Sequence, residues 1–378
     1  MGNGVTSDSS FGKIAIRLHK DRFVAGEQVE GEVLLDLARE FPASVVTLAI
    51  TGRERVQIVE SRTYRDPSRG GMASSNRKHV EEKEFFAHSF AIYETSGQSL
   101  EPGQFSFPFC FRLPEGLPGS FKFEFEEAGE EGFGVIEYEI LAGLRSSDPP
   151  TTLFERTDLL VDQSQISIPA PLASELQENL EGYCYRKLGR LEMRCLLDKD
   201  LFLSGEEIQI KVEADASKAS VETLEFKASL VQITEISTTD GESKFFDSKV
   251  IAKGKAPGIQ PGKILKGSEA LSLILIPELT GHSKAQSTTE GSLVRNSYRV
   301  EIEGQVDACL CYQAQPKIST AVRIGRKTYS KQIEFENFEP KTMPPVVCAI
   351  SESTKMNKEE RKALDLDAEM EYPRLSVS

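Results

Sequence analysis

Seven basic side chains crowd into one stretch of an otherwise acidic chain. Arg53, Arg55, Arg62, Arg65, Arg69, Arg77 and Lys78 stand against Glu54, Glu60 and Asp66, a local balance of plus four in a protein of formal net charge −14. The planar fork of arginine matches phosphate and carboxylate groups, so this cluster suits an anionic partner. Gly70, Gly71 and Ser74 lie in the same segment. The whole therefore reads as a long flexible loop between two strands, either a solvated insert or a contact loop. The chain's overall acidity argues against nucleic acid as a partner, because phosphate backbones need clustered cations.

Other routes to chemistry find no support. The four histidines, His19, His79, His88 and His282, show no pairing with a nucleophile and no metal spacing. Cys309 and Cys311 form a C-x-C pair, but no histidine lies nearby to complete a tetrahedral site. The six cysteines of the 378-residue chain read as free thiols rather than a disulfide framework. No glycine-rich phosphate loop follows a strand and opens a helix. A non-enzymatic protein without cofactor or metal is expected. The first ten residues are small and polar, unlike a secretory signal, and no apolar run approaches the roughly 20 residues of a spanning helix.

Both ends carry short motifs. Met1 to Thr6 satisfies the pattern for myristoylation of Gly2. One acyl chain gives only reversible attachment, and Asp8 stands where a second, cationic signal would help. At the other end Ala363-Leu364-Asp365-Leu366-Asp367 resembles a clathrin box with alanine in place of its first leucine, and Tyr372-Pro373-Arg374-Leu375 resembles a tyrosine-based sorting signal. A plain solvated tail is the other reading, and such short patterns often arise by chance. Asn357 with Glu360 has the form of a capping box, which predicts a short helix starting there.

The elements that must position these groups are strands. Phe105, Phe107, Phe109, Phe111 and Leu113 alternate, as do Ile14, Ile16 and Leu18, and Ile208, Ile210 and Val212, a period that buries one face of a strand. Turn signals such as Pro102-Gly103, Pro118-Gly119 and Pro257-Gly258 punctuate these runs, as in antiparallel sandwiches. Pro108 inside the phenylalanine run places that strand at an edge or at a bulge, and residues 114–120 read as a rigid loop. A degenerate repeat sets the scale. Phe23, Gly26, Glu27, Val29 and Val33 recur 179 positions later as Phe202, Gly205, Glu206, Ile208 and Val212. That interval is one ordinary domain in length, far beyond a solenoid period. Glu27 and Glu206, each beside a glycine, read as turn-shaping residues.

Two stretches resemble the arrestin superfamily, and within it the α-arrestins, or arrestin-domain-containing proteins. One is IRLHKDRFVAGEQVEGEVLL (16 to 35), with an aromatic, then Gly26-Glu27, then Gly31. The other is LEPGQFSFPFCFRLPEGLPGSF (100 to 121) followed by the strand around Tyr138. In the second half Gly205-Glu206, Ile276-Pro277 and Ser297 to Val300 echo the same pattern. The resemblance implies an all-β chain of two tandem immunoglobulin-like sandwiches and a flexible charged tail. The expected organisation is a disordered leader at 1–11, a first sandwich at 12–166, a linker at 167–182, a second sandwich at 183–340 and a tail with a short helix at 341–378. It also implies an adaptor that binds cytoplasmic tails of membrane proteins and promotes their endocytosis or sorting, cytoplasmic and peripherally associated with the plasma membrane or endosomes. Clathrin or its adaptors and an anionic membrane surface are further expected partners, with the arginine cluster as contact loop. A coat-type subunit like that of retromer, which shares the double sandwich, is the alternative. Pro149-Pro150 and Pro344-Pro345 lack the tyrosine of a P-P-x-Y motif, and Ser9, Ser10 and Phe11 stand where visual and β-arrestins place a lysine pair.

Overall fold

The computed structural model describes residues 10–356 except 43, 66–71, 96, 128, 148–149, 165–168, 183–185, 277–285, 311–313, 326–339 and 352–353. Its first half holds ten strands: β1 (Gly12–Leu18), β2 (Arg22–Val24), β3 (Gln28–Leu37), β4 (Ser44–Arg65), β5 (Met72–Glu94), β6 (Gly103–Arg112), β7 (Phe121–Glu127), β8 (Glu130–Ser147), β9 (Pro150–Asp158) and β10 (Leu160–Asp162). The second adds β11 (Leu172–Gly182), β12 (Arg186–Leu197), β13 (Leu201–Leu203), β14 (Ile208–Ala219), β15 (Thr223–Ser237), β16 (Lys244–Ile259), β17 (Ile264–Leu265), β18 (Leu271–Leu275), β19 (Thr289–Glu290), β20 (Val294–Val306) and β21 (Lys317–Gly325). Two short strands follow, β22 (Lys341–Thr342) and β23 (Val346–Cys348). The described residues contain no α-helix.

Each half is a sandwich. The first packs the sheet β1-β3-β6 against β5-β4-β8-β7, with β9 beside β7 on the same edge of β8. The second packs β11-β12-β14, edged by β17 and β18, against β13-β21-β20-β15-β16. Alternation builds both cores. Phe105, Phe107, Phe109 and Phe111 face inward from β6 with Val29, Val33 and Leu35 of β3, while Ile208, Ile210 and Val212 of β14 do the same with Phe226 and Tyr298. The two cores touch: Ile236, Phe245, Leu293 and Val294 of the second half belong to the first half's apolar cluster. Phe245 stacks on Phe125 at 3.6 Å with the rings 9° from parallel.

The sequence repeat is a repeated turn. Gly26 and Gly205 adopt φ of 88° and 80°, the left-handed region that glycine enters at least cost. Beside them Glu27 accepts from the Val24 N–H at 3.0 Å and Glu206 from the Leu203 N–H at 2.8 Å. Lys20 and Lys199 close the two turns as ion-pair partners of these carboxylates.

Four expectations are corrected. Residues 172–182, expected in the linker, form β11 and pair with β12 from Leu172↔Leu197 onward. Polar side chains fill most of the positions between Leu172, Leu176 and Leu180 there, the composition of an edge strand that faces water. The tail does not begin as a flexible segment at 341, because β22 and β23 run parallel to β6 and extend the first sandwich. Pro108 accordingly lies in a strand covered on both sides. It pairs with Glu32 without a bulge and falls opposite the interval between β22 and β23, where a missing N–H costs no ladder bond. Finally, the described part of the arginine segment is strand rather than loop: Arg53 to Arg65 complete β4, Arg77 and Lys78 belong to β5, and the pairing runs out to Arg65↔Met72. The helix expected from Asn357 lies outside the described residues.

Candidate functional site

The extended β4–β5 hairpin carries the basic cluster, and pleating divides its residues between two faces. Arg53 and Arg55 point outward from β4. Their side chains are each 16% exposed because carboxylates on both flanking strands cover them. The Arg53 Nε donates to Glu137 Oε1 of β8 at 2.6 Å, and the Arg55 Nε meets Glu82 Oε2 of β5 at 3.5 Å. Burial works against the Arg53 charge, but Glu137, then Glu82 and Glu139, outweigh it and hold this guanidinium above its usual range. These two arginines are cross-strand ties.

Farther along, the hairpin meets the second sandwich. Arg77 pairs with Glu242 at 3.0 Å, and the Glu81 carboxylate accepts the Thr239 N–H at 2.8 Å. Lys78 and Val80 are exposed on β5, an edge strand, with Val80 at 61%. Arg62 and Arg65 lie within β4, opposite Ser75 and Met72. Arg69, Gly2 and the tail residues Leu364, Leu366, Asp367, Tyr372 and Leu375 lie outside the described residues. The hairpin thus places Arg77, Lys78 and the exposed Val80 close together along β5 at the junction of the two sandwiches, while Arg53 and Arg55 are tied to neighbouring strands of the first sandwich.

The junction holds residues that spacing does not single out. Asp162 pairs with Arg22 at 3.0 Å and accepts from the Ser287 Oγ at 2.6 Å. Thr289 Oγ1 accepts from the Gly119 N–H and donates to its carbonyl, at 2.7 and 3.1 Å. The Gln163 side chain accepts the Glu290 N–H at 2.7 Å. Glu54, 1% exposed, takes the N–H groups of Ser292 and Leu293. One segment of the second half, 286–293, is therefore stitched along the first. A readable signal exists for one of these groups: Glu54 interrupts the inward series Val46, Leu48, Ile50, Val56 and Ile58, and a carboxylate at a core position must have donors.

Among the described residues no group of three or more His, Cys, Asp or Glu side chains is placed to hold a metal ion. The described thiols Cys110, Cys195, Cys309 and Cys348 are unpaired. No helix is long and apolar enough to cross a membrane among the described residues.

Comparison with known proteins gives the same architecture. The family model for the arrestin (or S-antigen) N-terminal domain matches residues 13–166, and that for the arrestin (or S-antigen) C-terminal domain matches residues 187–329. The chain is similar to arrestin domain-containing protein A of Dictyostelium discoideum, 26% identical over 212 residues, or 54% of this chain and 34% of that protein. It is also similar to the lateral-eye arrestin of Limulus polyphemus, 27% identical over 168 residues, or 43% of this chain and 40% of that one. The chain thus spans between a third and two fifths of these relatives' lengths. With both sandwiches matched, in order, by the two domains of one family, the chain belongs to the arrestin family.

Proposed function

We propose that the chain works as an arrestin-type adaptor that binds cytoplasmic parts of membrane proteins and promotes their endocytosis or sorting. The observation that carries this reading is the β4–β5 hairpin, anchored to the second sandwich through Arg77–Glu242 while its edge at Lys78 and Val80 stays exposed. An edge strand presents unpaired backbone groups to an extended segment of another chain. A cationic and an apolar side chain on that edge suit a peptide at an anionic bilayer surface. The sandwiches serve as a scaffold, with no catalytic step.

The two ends support residence near the membrane. A myristoyl chain on Gly2 gives weak, reversible attachment that bound cargo reinforces. The tail around Leu364, Leu366 and Asp367, and around Tyr372 and Leu375, offers motifs for clathrin or its adaptors. Proximity labelling with the full chain in its native cell tests the reading. Membrane proteins and endocytic components are the expected neighbours. A single complex of fixed stoichiometry recovered in their place would overturn it in favour of a coat-type subunit.

A further inference from the structure

Glu54 and Ser292 meet where the two sandwiches dock, and the geometry there is chemically asymmetric. Glu54 is 1% exposed and both its oxygens accept: Oε1 takes the Ser292 N–H at 2.9 Å, and Oε2 takes the Ser292 Oγ–H at 2.6 Å and the Leu293 N–H at 3.0 Å. A carboxylate that only accepts leaves no place for a second anion. The fit is close, since a Cβ on Gly291 would fall 1.6 Å from Glu54 Oε1. Ser292 itself is exposed, in the turn between β19 and β20, and its Oγ also receives the Lys83 ammonium at 3.0 Å. One accessible hydroxyl thus closes a contact that spans 238 positions of sequence.

We propose that Ser292 is a phosphorylation site and that its modification undocks the two sandwiches. The reaction needs a protein kinase and MgATP. The Ser292 Oγ forms a bond to the γ-phosphorus, the bond from that phosphorus to the bridging oxygen breaks, ADP leaves, and the hydroxyl proton passes to the kinase's base. The product carries nearly two negative charges where a donor hydroxyl stood, facing a buried carboxylate. Lys83 answers part of that charge from the solvent side. Glu54 cannot move outward because its strand is paired on both sides, with β5 and β8. The segment 286–293 must therefore leave, taking with it the Ser287–Asp162 and Thr289–Gly119 contacts. The interdomain angle is what the modification sets, whatever cargo the chain carries.

The test has two parts. Trypsin cutting after Lys284 and Arg295 releases one peptide that contains Ser287, Thr288, Thr289 and Ser292. Fragment mass spectra of this peptide from native-cell protein should place the phosphate on Ser292. In the full chain, Ser292→Asp should raise amide exchange of residues 286–294 by about tenfold and enlarge the radius of gyration in X-ray scattering, while the core amides of β20 near Ile302 stay protected. Ser292→Ala, which keeps both N–H bonds, should stay docked. Glu54→Gln added to Ser292→Asp should restore protection by removing the opposed carboxylate. Where Ser292→Asp unfolds the whole chain, rescue by Glu54→Gln decides the case. Absence of phosphate at Ser292, exchange unchanged by Ser292→Asp, or failure of the rescue would each overturn the proposal.

Discussion

Arginine at an exposed-looking position is not by itself a docking cation. Arg53 and Arg55 come every second residue along a strand whose neighbours present Glu82 and Glu137 at matching heights, so their forks are occupied before a ligand arrives. Replacing Arg53 with alanine should cost about 1–2 kcal/mol of stability, the scale for removing one charged partner of a half-covered hydrogen bond. Liposome sedimentation of that variant should match wild type, whereas Arg77→Ala with Lys78→Ala should weaken binding. The reverse pattern would return the contact surface to the first sandwich. At the repeated turn, burial raises the Glu27 pKa, but Lys20 and the Val24 N–H outweigh it and leave it below the ordinary carboxylate value. Because the folded pKa is depressed, the carboxylate's contribution is full above the unfolded value and is lost as pH falls through the folded one. Glu27→Gln should therefore lower the urea midpoint more at about pH 7 than at about pH 3. An equal loss at both would assign the effect to packing.

Strands that bury a face were legible, and strands that do not were not. The phenylalanine series at 105–111 declared its period and its inward side, and Gly26-Glu27 with Gly205-Glu206 declared a duplicated turn that the structure shows with matching bonds. β11 escaped because its apolar residues sit four apart and the rest are polar, so no period-2 signal separates it from a linker. The parity of Glu54 points it inward, but its donors lie 238 residues away, beyond any local pattern. The strap formed by β22, β23 and Met356 escaped for a related reason. Its ladder is interrupted at Pro344-Pro345, and its anchors are scattered: Cys348 in the first core, and Met356 against Ala49, Ala87 and Leu141 on the outer face of the opposite sheet. The strap can be watched through one thiol. Burial, with Cys110 nearby, pushes the Cys348 thiol up to about 11, and burial does the same to Cys195 in the second core. At about pH 8 iodoacetamide should label exposed Cys309 first and leave Cys348 and Cys195 slow. Met356→Asp should release the strap and speed labelling of Cys348, with Cys110 beside it on β6, and leave Cys195 slow. Equal acceleration at Cys195 would mean general unfolding.

At the scale of the molecule, the two sandwiches share an apolar seam as well as polar stitches, and the two contribute differently. Hydrogen bonds such as Thr289 to Gly119 fix register and direction, and the seam adds the apolar area that leaves water there, a gain that holds only while no unmatched charge is buried beside it at Glu54. Phe245 is its centre. It is 7% exposed, stacks on Phe125 and lies 6.3 Å from Phe123, centroid to centroid, though it belongs by sequence to β16 of the second half. Two domains joined only by a covalent linker unfold independently, but a shared core couples them into one transition. Phe245→Ala should open a cavity at the seam and cost about 3–5 kcal/mol. Little of that loss should fall on the internal core of either sandwich. Calorimetry of the wild-type chain should accordingly give one endotherm whose van't Hoff and calorimetric enthalpies agree, and Phe245→Ala should split it in two. Hydrogen exchange would locate the change, with faster exchange in β7 and at 286–294 and unchanged protection around Ile210. A single endotherm that merely moves to lower temperature would show that the polar stitches hold the halves together without the stack. In that case the coupling between the sandwiches would rest on Glu54, Asp162 and Gly119.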